Sequence, residues 1–414
     1  CEKVEGSNHD FLKDGLKLIV DGEWLHADGT TLGGDDAIAL AIAMAAMDDD
    51  TLGHPRLEAV FTVDEEISMG GAYGIDCSPL KARAMLNLDS EEEGVLTVGC
   101  AGGMGAECTI PVKRENKKLA GAKIVISGLV GGHSGAEIDK GRANSNILMG
   151  RVLHALDKTA PVQLVELFGG RADNVITGKT EAVIAFAKAD AERLKAAAEE
   201  MAANFTKEYD VADPDITVSF DLADEQDYDA ACIEDTRKVI FALMCTPQGI
   251  QEMSQKIKGL VQTSLNMGVL KSSREVAPDN SITDDSVMLT FCVRSSIESE
   301  KEALMKKLRD ITTLVGGTID FEGNYPGWKY EVESPLRDLM VQEFKEQYNY
   351  EPKVEAIHAG VECGYFSAKI PGLDCVSYGP DLKDIHTFRE RMDIKSVERV
   401  YKMTLEVLRR LADK

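Results

Sequence analysis

From Arg56 to about Gly105, short apolar runs alternate with loops rich in glycine and acid, a pattern that predicts strands and helices in turn, as in an α/β domain. Residues near 107 to 323 read differently. There AKIVISGLV (122–130) and ITDDSVMLTFCVRSS (282–296) alternate as strands do, while AERLKAAAEEMAANFTKEY (191–209) and SEKEALMKKLRDITTLV (299–315) space apolar residues as helices do. A sheet with helices on one side is expected for this stretch. After Tyr325-Pro-Gly-Trp328 the first pattern returns, with a helix predicted over 336–347, a strand over 374–378 and a helix over 397–411. The pattern therefore predicts an α/β domain, 1–106 plus 324–414, built on a central mixed sheet flanked by helices and interrupted by an inserted α+β domain at 107–323.

The length of 414 residues agrees with two domains, and 44% apolar residues can bury both cores. A formal charge of −25, from 46 basic against 71 acidic residues, argues against nucleic acid or an anionic membrane as partner. Nine scattered cysteines without a CxxC pair fit reduced thiols in a cytoplasm. The longest apolar run, Ala37 to Met47, is short of the roughly 20 residues a membrane helix needs, and neither a transmembrane segment nor a signal peptide is expected. Residue 1 is Cys and not Met, so a processed product or a fragment is expected, with the fragment favoured.

Candidate chemistry concentrates where strands are expected to end. Asp35 follows Gly33-Gly34, which free the backbone, and precedes a helix whose N-terminus tolerates an anion. It suits a carboxylate bridging two divalent ions, although an acid in that place alone is more often a helix cap. Glu65 and Glu66 close the strand-like AVFTV. In a tight loop one can reach a metal and its neighbour a water, which makes Glu66 a ligand and Glu65 a general base. Asp89 ends MLNL in the same way and suits a terminal ligand of the second ion. His386 follows strand-like CVSY and a Gly-Pro turn, where a neutral imidazole is a natural zinc ligand. In the inserted region, His133 of Gly-Gly-His-Ser-Gly suits contact with a developing oxyanion, and Arg294 suits a bidentate grip on a carboxylate.

Taken in order, GTTLGGDDAIALA, TVDEE, LNLDSEEEG with CAGG, GGHSG with GRANSN, RADNVI, TSLNMG, VRSSIES, IHAGVECG and the late His386 resemble the aminoacyl-histidine dipeptidases, within the zinc exopeptidases that include carnosinase and carboxypeptidase G. The resemblance covers essentially the whole chain. It implies a catalytic domain with two zinc ions (manganese or cobalt as alternatives) and an inserted lid domain that forms a homodimer. It makes Asp35 the bridge, Glu66 and His386 ligands of one zinc, Asp89 a ligand of the other and Glu65 the base. It also places His133, Asn174 and Arg294 at lid positions that hold the oxyanion and the substrate's C-terminal carboxylate, and Glu362 near the substrate and metal pocket. The implied reaction is hydrolysis of dipeptides, Xaa-His included, by a hydroxide shared between the ions.

The resemblance also implies a His-x-Asp pair upstream of CEKVEG, which this chain does not contain, and His9-Asp10 lacks the spacing to replace it. Weak binding of one zinc and poor turnover are expected on that ground. Two other functions use the same residues: an amidohydrolase acting on N-acyl amino acids, and a non-catalytic binding or assembly module. Glu65 speaks against the second, since a binding site needs no base beside its ligand.

Overall fold

The computed structural model describes residues 1–276 and 282–412. The chain forms two compact units, Cys1–Cys100 with Trp328–Ile357 and Val361–Lys414, and Ala101–Gly327 with His358–Gly360. The first unit begins with β1 (Leu18–Asp21), β2 (Trp24–Ala27) and helix α1 (Gly34–Asp48). After a long irregular stretch come the short helices α2 (Glu65–Ser68) and α3 (Gly70–Gly74), then β3 (Ala84–Asn87) and β4 (Val95–Cys100). Ala59–Val63, expected as a strand, forms none: Phe61 and Val63 are 49% and 73% exposed, and the backbone bond made to the segment among the described residues is a turn contact, the Gly71 N–H donating to the Val63 carbonyl at 2.8 Å. β-Propensity yields a strand only where a partner backbone accepts it.

The second unit carries β5 (Gly102–Pro111), β6 (Arg114–Ser127), β7 (Gly132–His133), α4 (Ser145–Thr159), β8 (Val162–Gly169), β9 (Val175–Ile176), β10 (Thr180–Phe186), α5 (Ala191–Glu208) and β11 (Thr217–Ala231). It continues through α6 (Ile233–Cys245), β12 (Gly249–Met253), β13 (Val261–Val276), β14 (Ile282–Ser295), α7 (Glu298–Leu314) and β15 (Thr318–Tyr325). Its large sheet has the order β11-β6-β10-β8-β13-β14-β5-β15, with β12 beside β13 and antiparallel pairing throughout. Alternate residues such as Ala122, Ile124 and Ile126 of β6, or Val287, Leu289, Phe291 and Val293 of β14, bury one face of this sheet against Leu148, Leu153, Phe205, Leu243 and Leu308 of the helices. β5 and β15 pair in this sheet, so 101–106 and 324–327 lie with the second unit, a few residues outside the expected boundaries.

The chain then returns to the first unit with α8 (Pro335–Tyr348), β16 (Lys353–Ile357), α9 (Cys363–Lys369), β17 (Asp374–Ser377), β18 (Leu382–Lys383), β19 (Arg391–Asp393) and α10 (Ile394–Ala412). Helix α8 starts as its residues dictate. Pro335 occupies the first turn, and the Ser334 hydroxyl accepts the Arg337 N–H at 3.0 Å. The central sheet, β16-β4-β17-β3, is mixed: β16 runs parallel to β4 and β17 parallel to β3, while β17 and β4 are antiparallel. Leu96, Val98 and Val376 of this sheet pack with Met340 and Phe344 of α8 and with Val400, Met403 and Val407 of α10. A smaller sheet, β1-β2-β19-β18, holds the β18–β19 hairpin whose loop carries His386. The fold is thus α/β, interrupted by an inserted α+β unit.

Candidate metal centre

The β18–β19 hairpin carries two functional groups on one loop. His386 stands three residues after β18, in a turn where Asp384 and His386 both have left-handed backbones, with φ of 54° and 61°. Non-glycine residues hold that conformation only where the surroundings require it. The imidazole Nε2 lies 3.1 Å from Asp35 Oδ2 and 2.8 Å from Glu66 Oε2. From the other end of the loop, the buried Glu390 carboxylate accepts the N–H groups of Gly33 at 2.7 Å and Asp35 at 3.2 Å. Gly33 itself has φ 68° and so permits the turn that presents Asp35 ahead of the regular part of α1. Glu390 was not anticipated. In FRERMD it reads as surface, and only the fold shows it buried against the Gly33–Asp35 turn.

Glu65 and Glu66 open the single turn of α2, so their side chains diverge around a helix and not along a strand or an open loop. Asp35, Glu66 and His386 each offer one ligand atom, and the three atoms lie within 4.8 Å of one another. Asp89 stands outside this close group, but with Asp36, Glu65 and Glu362 it lines the same cavity, of about 810 Å³. Burial, then the charges of Glu65, Asp35 and Glu362, push its carboxyl up to about 8. Asp36 rises to about 9, through burial and then through Asp89. Glu65 rises to about 7, through burial, then Glu66, Glu362 and Asp35. Glu66 is raised too, by burial and then by Asp35.

Glu362 directly precedes α9 and accepts the Thr62 hydroxyl at 2.9 Å through Oε2, while its Oε1 is buried without a partner. Among the described residues, no Lys or Arg figures in the charges acting most strongly on Asp36, Glu65, Glu66 or Asp89. Crowded carboxylates that lack a protein cation, joined by an imidazole nitrogen, have the donor chemistry of a divalent metal site. The residues present fit such an ion.

His133, Asn174 and Arg294 belong to the second unit. His133 ends β7, opposite Val175 of β9. Its Nδ1 accepts the N–H groups of Gly135 at 3.2 Å and Ala136 at 3.0 Å, which leaves the proton on Nε2 as a free donor. Burial, then Arg294, keeps its pKa low, so the ring is neutral. Arg294, only 6% exposed, donates to the Tyr325 hydroxyl at 2.9 Å, and its Nε is buried without a partner. Asn174 is exposed on a loop fixed from both sides, because Asn266 Nδ2 donates to the carbonyls of Asp173 and Val175 at 2.8 Å each. Asn266 is a second support that sequence reading left without a role. Its motif was visible, but not its grip on the loop.

Carboxylates and an imidazole gathered on the loops and helix starts of an α/β unit have the make-up of a metal-dependent hydrolase site. The chain belongs to peptidase family M20/M25/M40, whose model matches residues 6–411. It is 33% identical over 417 residues to the cytosol non-specific dipeptidase of Escherichia coli, covering all of this chain and 83% of that protein. The crystal structure of aminoacylhistidine dipeptidase from Vibrio alginolyticus superposes with a TM-score of 0.92 at 32% identity, over 99% of this chain and 81% of that one. The aminopeptidase PepT of Bacillus cereus shares the fold, with a TM-score of 0.55 at 16% identity over 96% of this chain and 77% of that one. These matches run through the whole chain.

Proposed function

We propose that this chain carries the site of a dipeptidase whose complete form binds two divalent ions, zinc foremost, and cleaves dipeptides that include the Xaa-His type. The observation that carries this reading is the approach of Asp35, Glu66 and His386 to within 4.8 Å in a member of a peptidase family. Asp35 is assigned the bridging position, Glu66 and His386 one ion, and Asp89 the other. When bound, such ions polarise a carbonyl and lower the pKa of water. Glu65, adjacent to a ligand and lining the same cavity, takes the proton of the attacking water and delivers it to the leaving amine. His133 offers its Nε2–H to the developing oxyanion, and Arg294 and Asn174 offer donors to the terminal carboxylate. Glu362 borders the substrate. A homodimer formed through the inserted unit and residence in the cytoplasm complete the proposal; no helix among the described residues is long and apolar enough to cross a membrane.

The test is to offer β-alanyl-histidine, ordinary dipeptides and N-acetyl amino acids side by side and measure amine release. Higher kcat/KM on dipeptides with a free amino group is expected. Preference for the N-acetyl compounds would assign the same residues to an amidohydrolase.

A further inference from the structure

In the second unit, His133 is held by two side chains that have no part in the chemistry assigned so far. Its main-chain N–H donates to Glu137 Oε2 at 2.9 Å, and the Glu137 N–H donates back to the His133 carbonyl at 3.0 Å, which closes a turn over 133–137. Inside that turn the N–H groups of Gly135 and Ala136 reach the imidazole Nδ1. Two main-chain donors can face Nδ1 only while it carries no proton, so the tautomer of the ring follows from the shape of the turn.

Arg142 fixes where the turn begins. Its Nη1 donates to Glu137 Oε1 at 2.8 Å and to the Gly131 carbonyl at 2.6 Å, so one guanidinium ties the chain before His133 to the chain after it. Gly132 has φ 134°, and a Cβ there would come within 2.4 Å of Arg142 Nη1 and 2.5 Å of Glu137 Oε2. The pair therefore lies directly against the main chain that leads into His133, where only glycine leaves room. The Ser134 N–H donates to the Asn174 carbonyl at 2.8 Å, and His133 pairs with Val175, so the same hold sets the spacing of His133 and Asn174.

The ends of the segment are anchored separately. Asp213, fully buried, accepts the N–H groups of Val130 and Ala143 at 2.7 Å each. The Glu137 and Arg142 side chains remain 36% and 20% exposed, and ion pairs in such a setting add little to stability.

We infer that Glu137 and Arg142 are positioning residues for the proposed hydrolysis, which together hold the turn over 133–137 and so keep the His133 proton on Nε2. The inference rests on the reading of His133 as donor to the oxyanion, but its spectroscopic test does not.

That test is nitrogen-15 NMR of the histidine-labelled full chain, which reports which ring nitrogen carries the proton; the His133 signals are those lost in His133→Gln. Hydrolysis of β-alanyl-histidine is measured on the same samples. Glu137→Ala and Arg142→Met should both populate the form protonated on Nδ1. Each should lower kcat about 10²-fold, the loss that follows a misplacement on the order of 1 Å, with KM and metal content near wild type. Arg142→Lys, which keeps a donor for Gly131 and Glu137, should recover most of both. A His133 proton that stays on Nε2 in Glu137→Ala and Arg142→Met overturns the inference, whatever happens to kcat. If the wild type hydrolyses no dipeptide, the reading of the site fails while the NMR result still decides the inference. If Glu137→Ala is unfolded by circular dichroism, Arg142→Met decides alone.

Discussion

At the residue scale, Glu65 and Glu66 are neighbours with different surroundings. Glu66 reaches His386 at 2.8 Å, whereas Glu65 is, after burial, the charge that most raises the Asp89 carboxyl. A base that moves a proton is worth about 10²- to 10⁴-fold in rate. Glu65→Gln should lower kcat by that amount while KM and metal content, read by mass spectrometry, stay near wild type. Loss of metal in this variant would make Glu65 a ligand. His358 gives a pH prediction of another kind. Its Nε2 lies 2.7 Å from Ser264 Oγ, and burial, then Arg294, holds its pKa down to about 4 from the ordinary 6.5. Between those values the unfolded chain takes up a proton that the folded one refuses, so stability is full above pH 6.5 and falls as pH drops toward 4. The effect reaches about 3 kcal/mol. Urea unfolding of wild type and His358→Asn at pH 7 and pH 5 should show a shallower pH dependence in the variant; parallel curves would contradict it.

At the scale of elements, the hairpin between β18 and β19 is the device that assembles the site, supplying His386 and anchoring the Asp35 turn through Glu390. Groups that orient metal ligands are typically worth 10- to 100-fold in metal affinity. Glu390→Gln keeps the size but loses the double acceptance, and its affinity for zinc, measured by competition with a chelating dye, should fall in that range with the fold intact by circular dichroism. Unchanged affinity would leave Glu390 a purely structural tie. Ser334→Ala should cost about 1 kcal/mol of unfolding free energy through the lost cap on α8, without affecting metal affinity. The helices were legible in their periodicity: 336–347 and 397–411 were expected, and α8 and α10 span Pro335–Tyr348 and Ile394–Ala412. AVFTV departs from its strand pattern because alternation and β-branching report a preference, while a strand needs a second strand beside it, and among the described residues the backbone of Ala59–Val63 meets only the turn at Gly71. Asp35, Glu66 and His386 could be found from the turns and apolar runs beside them. Glu390 and Asn266 could not, since burial by distant segments is what gives them their roles.

At the scale of the whole molecule, an acidic chain of 414 residues places carboxylates and an imidazole of its first unit where a divalent ion would relieve their mutual repulsion. Binding there acts on the folded state, so it should raise the unfolding temperature of that unit and be reversed by chelator. The most direct test of this account is isothermal titration of the metal-stripped protein with zinc, run beside His386→Ala and followed by dipeptide hydrolysis on the same samples. Saturable binding that restores hydrolysis in the wild type, with both lost in His386→Ala, is the predicted result; zinc uptake and hydrolysis that survive in His386→Ala would contradict it.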